Sequence, residues 1–64
     1  MASMSQFSEK EVTAIGEQLK QEQNLVKKYK QFASQATDTE IRKKYEAIAA
    51  QHQGHFDSVM SLLG

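Results

Sequence analysis

The side chains best suited to chemistry in this 64-residue chain are one glutamate and two histidines: Glu22, His52 and His55. His52 and His55 stand three residues apart, a spacing that puts both imidazoles on one face of a helix. Imidazole nitrogens suit zinc, iron, copper or nickel. A carboxylate beside them either completes a three-ligand set or holds a ring in place. The same trio also works without metal. Glu22 then accepts hydrogen bonds from both rings, and the buried polar layer fixes the register of the packed helices. Little else competes. The chain has no cysteine, which excludes disulfides and thiolate metal sites. No serine, threonine or lysine stands in a nucleophile setting, and there is no glycine-rich phosphate loop.

The elements that must position these residues are helices. There is no proline, there are only three glycines, and nearly every other residue is a good helix former, so the class is all-α. Residues 1–7 read as a flexible tail, and Met1-Ala2-Ser3 as a cloning remnant. Residues 8–64 read as one domain. Ser8-x-x-Glu11 is a capping box, and Phe7 with Val12 forms the matching hydrophobic staple. A first helix is predicted from Glu9 to about Ala36. Thr37-x-x-Glu40 is a second capping box, with Asp38 as the alternative N-cap. A second helix is predicted from about Thr39 to Leu63. So short a connection forces an antiparallel hairpin.

Inward positions follow 3,4 spacing. They are Val12, Ile15, Leu19, Glu22, Val26, Tyr29, Ala33 and Ala36 on the first helix. On the second they are Ile41, Tyr45, Ile48, His52, His55, Val59 and Leu62. Leu25, Phe32, Ala49, Phe56, Met60 and Leu63 widen the two stripes, which suits a multi-helix bundle. Glu22, His52 and His55 are the non-apolar members of these rows. Folding the hairpin about residues 37–38 brings them to one height, roughly 22–26 Å from the turn. Tyr29 and Tyr45 share the next level toward the turn and read as core bodies with wet hydroxyls.

A chain of this size buries only about 60% of its unfolded surface and needs a partner or a metal. Two hairpins related by a two-fold axis would close a four-helix bundle, so a homodimer is expected. Eight bases balance eight acids, which argues against a nucleic-acid or membrane-surface partner. No apolar run is long enough for a transmembrane span or a signal peptide. The bases Lys27, Lys28, Lys30, Arg42, Lys43 and Lys44 gather toward the turn, while Glu9, Glu11, Glu17 and Glu22 lie toward the other end. This layout reads as a solvated face or as a guide for packing into a larger array.

Two stretches carry a resemblance. Glu22 to Tyr29, followed by Lys30-Gln31-Phe32-Ala33-Ser34-Gln35-Ala36, resembles the first helix of a rubrerythrin-type ferritin-like hairpin. Tyr45 to His55 resembles its second helix, where an Ile-Ala run leads into Glu-x-x-His. More closely, Glu17 to Leu62 is similar to short ferritin-like, coat-F-like spore coat proteins of spore-forming Firmicutes. The likeness covers about two thirds of the chain. It implies a ferritin-like four-helix bundle built by dimerisation and metal ligands at Glu22, His52 and His55. It also implies other coat proteins as partners, and cytoplasmic synthesis followed by assembly into the spore coat. One position departs: His52 stands where the family has the glutamate of Glu-x-x-His. Imidazole does not bridge two metals as carboxylate does. The expectation is therefore a structural subunit in which any metal held at this layer binds as zinc does, or as weakly bound iron. A rubrerythrin-like oxidoreductase or a divalent-metal-binding module is the alternative.

Overall fold

A computed structural model of the chain describes residues 6–64; the tail expectation for residues 1–5 lies outside them. The fold is all-α, with helix α1 over Glu9–Gln35 and helix α2 over Thr39–Met60. A closing 3₁₀ turn spans Ser61–Leu63. The two helices pack side by side as an antiparallel hairpin, 47 × 19 × 10 Å, so the molecule is one helix thick.

Each end of α1 has an identifiable cause. The Ser8 hydroxyl accepts from the Glu11 backbone N–H at 3.1 Å, and the Glu11 carboxylate accepts from the Ser8 N–H at 2.8 Å. The capping box is complete, as the sequence predicts. Phe7 and Val12, the expected staple, are both half-buried. At its far end α1 stops at Gln35, one residue early, because Ala36 is extended. Arg42 reaches back across the turn and donates to the Ala36 carbonyl at 3.0 Å. A base that looks misplaced at the positive start of α2 thus serves the carbonyl end of α1.

At the start of α2 the Asp38 carboxylate, not Thr37, caps the helix. It accepts from the Ile41 N–H at 2.9 Å. This choice keeps the connection to Ala36, Thr37 and Asp38. At the other end α2 tightens into the 3₁₀ turn after Met60 instead of continuing to Leu63. The Ser61 hydroxyl donates to the Ser58 carbonyl at 2.6 Å there.

The core is a thin line. Val26, Ala33 and Ala49 are the buried apolar residues, and Glu22 is the buried charged one. Ala49, read from the sequence as a flank, is therefore the most buried side chain of α2. Three residues of the inward row are exposed in the single chain: Ile41 at 49%, Leu62 at 44% and His55. Phe32 and Met60 are exposed as well. The reason is geometric. One neighbouring helix covers only a narrow strip, and both stripes are wider than that. Among the described residues no helix is long and apolar enough to cross a membrane.

Candidate metal centre

The hairpin brings Glu22 of α1 level with His52 and His55 of α2. One ligand atom from each residue lies within 4.8 Å of the others. Among the described residues this is the group of metal-ligating side chains that meets such a limit. The sequence-predicted trio is thus assembled in full.

Glu22 forms the centre of the layer. His52 Nδ1 lies 2.7 Å from Glu22 Oε1. The Gln18 amide, one helical turn back on α1, donates to Oε2 at 2.7 Å. His55 Nδ1 stands 3.6 Å from Oε2, close enough for charge attraction but too long for a hydrogen bond. The hydrogen bond to His52 holds the Glu22 carboxyl below the usual glutamate value. Burial opposes this, while Gln18 and the charges of both histidines add to it. An ionised carboxylate is the form that binds metal.

Aromatic rings fix the imidazoles. Tyr29 stacks on His52 with centroids 5.9 Å apart and planes 10° apart. His55 meets His52 edge-on at 5.6 Å. Tyr29 in turn contacts Phe32 and Tyr45, which contact each other at 5.4 Å. Lys28 lies over the Tyr29 and Phe32 rings at 5.6 and 5.7 Å. The tyrosines are half-buried, as the sequence suggests, and Tyr29 also orients a candidate ligand. Sequence spacing missed Gln18, whose only signal is its position one turn before Glu22.

The residues fit a divalent ion. Two imidazoles and a carboxylate form a donor set for zinc or ferrous iron, and the carboxylate is already buried and ionised. His52 is 22% exposed at its side chain and His55 52%, so the layer opens to solvent on the α2 side. Among the described residues no buried side-chain nitrogen or oxygen lacks a hydrogen-bond partner. The layer is therefore also self-consistent as a metal-free polar layer.

Comparison of the chain with protein families, curated proteins and solved structures finds no match.

Proposed function

We propose that the chain is a self-assembling structural subunit. Two hairpins close into a ferritin-like four-helix bundle around the Glu22/His52/His55 layer. The observation that carries this reading is apolar surface left uncovered on a hairpin one helix thick. Phe32, Ile41, Met60 and Leu62 supply apolar surface to be covered.

Charge selects the orientation. Residues 27–48, the turn half, hold six bases against three acids, net +3. The other half holds two bases against five acids, net −3. A head-to-tail dimer sets opposite charges together and brings the two mid-height polar layers to one level. A head-to-head dimer sets like charges together. The spore-coat assignment, with other coat proteins as partners, rests on the resemblance of Glu22–Tyr29 and Ile48–Asp57 alone.

Light scattering tests the assembly and should give about 14 kDa or a multiple of it. A folded monomer at micromolar concentration would sink the reading. Spin labels at Thr37 in both copies should lie far apart, approaching the 47 Å length of the hairpin. A second reading, a divalent-metal-binding module, is favoured by the convergence of the three donors. The two readings are compatible, since a metal at the bundle core adds stability to the assembled state.

A further inference from the structure

We infer that a second copy of the chain is held along α2: the row Ile41, Ile48, His55 and Leu62 packs antiparallel on the same row of its partner, about a two-fold axis that crosses α2 between Gln51 and His52. This rests on the self-assembly reading above and names the surface and the register that join the copies. The four residues recur every seven positions, so they form one stripe along α2 and its closing turn. The hairpin leaves that stripe uncovered. Ile41 is 49% exposed, Leu62 44% and the His55 side chain 52%, and Ile48 is half-buried. Ile41 lines the groove that also holds Phe32 and Tyr45, whereas Ala49, Ala50 and Gln53 line the opposite one.

The stripe is its own complement. Ile41 and Leu62 lie equally far from the axis, roughly 16 Å along the helix, and Ile48 and His55 roughly 5 Å. Turning the row end for end sets Ile41 against the partner's Leu62 and Ile48 beside the partner's His55, on both sides of the axis. The corresponding row on α1 does not repeat this, since it passes from Phe32 and Leu25 to Gln18 and Glu11. There charge takes over. Glu22 and His52 are hydrogen-bonded at one height, so the same axis crosses α1 between Glu22 and Gln23. Lys28 and Glu17 lie equally far from that point, roughly 8 Å on either side. Lys28 sits over the Tyr29 and Phe32 rings, on the uncovered groove. Glu17 stands about three helical turns earlier on the same stripe. The two-fold therefore sets Lys28 beside the partner's Glu17 twice. A head-to-head pair instead brings Leu62 to the level of the partner's Glu11 and leaves Lys28 and the partner's Glu17 at different heights.

The test mixes two full-length variants. Ile41→Lys and Leu62→Glu should each weaken self-association at least about 10-fold in sedimentation equilibrium, because each sets a charge against an apolar residue. Mixed in equal amounts they should associate about as tightly as the wild type. The two introduced charges then face each other at one end, and the native Ile41 and Leu62 meet at the other. Gln51 is exposed beside the axis, so Gln51→Cys should form an interchain disulfide on oxidation and give a covalent species of about 14 kDa. Gln53→Cys, on the opposite groove, should not. A wild type that associates while the mixture stays as weak as its components, or while the two cysteine variants cross-link alike, overturns the inference and leaves the self-assembly reading intact. A wild type that stays monomeric at micromolar concentration overturns both. The cross-linking arm replaces only exposed glutamines and does not depend on the charged variants folding.

Discussion

The hairpin has two grooves, one along each side of the helix pair, and they are built from different residues. One is lined by Lys30, Ala33, Ser34, Arg42 and Glu46 and continues along Ala49, Ala50 and Gln53. Small side chains form its floor and charged ones its rim. The other is lined near the turn by Phe32, Ile41 and Tyr45. Ring contacts continue from it through Tyr29 to His52 and His55. In the first, alanines form the floor, and none of the exposed large apolar side chains lines it. In the second, aromatic rings and branched side chains remain in water and lead to the polar layer. The difference puts the exposed Phe32 and Ile41 on one groove only, and that groove is the face assigned to the partner in the proposed dimer.

Breaking that contrast starts with the aromatic groove. The double variant Phe32→Asp/Ile41→Asp should weaken self-association more than 100-fold, roughly 3 kcal/mol, in sedimentation equilibrium. The matched pair Ala50→Asp/Gln53→Asp, on the other groove, should leave the mass unchanged. Equal effects from both pairs would erase the distinction between the grooves.

The alanine contact comes next. Ala49→Leu should cost about 1–3 kcal/mol in chemical denaturation, because the closely packed helices have no room for three more carbons. Its exposed neighbour Ala50→Leu should stay within about 0.5 kcal/mol of the wild type.

Acid sharpens the contrast at the site. The Glu22 pKa is lowered in the fold, so its stabilising contribution is complete above the ordinary glutamate value and is lost as pH falls through the depressed one. Metal-free protein should therefore lose stability on acidification through that range, and Glu22→Gln should lose less. Glu11, lowered chiefly by the Ser8 backbone N–H, titrates in the same direction and is separated by Glu11→Gln. A wild type and a Glu22→Gln variant with superimposable pH profiles would contradict the Glu22–His52 pairing.

The smallest effect concerns Gly16 and Gly54. A Cβ built on either meets nothing within 4 Å, so no close approach inside the hairpin requires them. Gly16→Ala and Gly54→Ala should each stabilise the fold by about 0.5–1 kcal/mol, read as a shift in the denaturation midpoint. A destabilised Gly54→Ala would indicate that a partner's helix approaches this side of α2.

Local interactions made much of the fold readable from the chain alone. The Ser8/Glu11 box, the helical class and the antiparallel turn depend on residues within a few positions of one another, and local order suffices to specify them. The level of Glu22, His52 and His55 followed from a fixed rise of 1.5 Å per residue on two helices joined by a short turn. Tertiary structure decided the rest. Which of Thr37 and Asp38 caps α2 depended on how the chain turns to lay the helices together. That Ala49 is buried while Ile41 and Leu62 are exposed depended on which strip of a wide apolar stripe one neighbour covers. Helical spacing sets which residues share a face, but the rotation of each helix against the other sets which of them meet. The same rotation gave Glu22 its grip on the Nδ1 of His52 and brought the Tyr29 ring onto that imidazole, contacts that no spacing along the chain encodes.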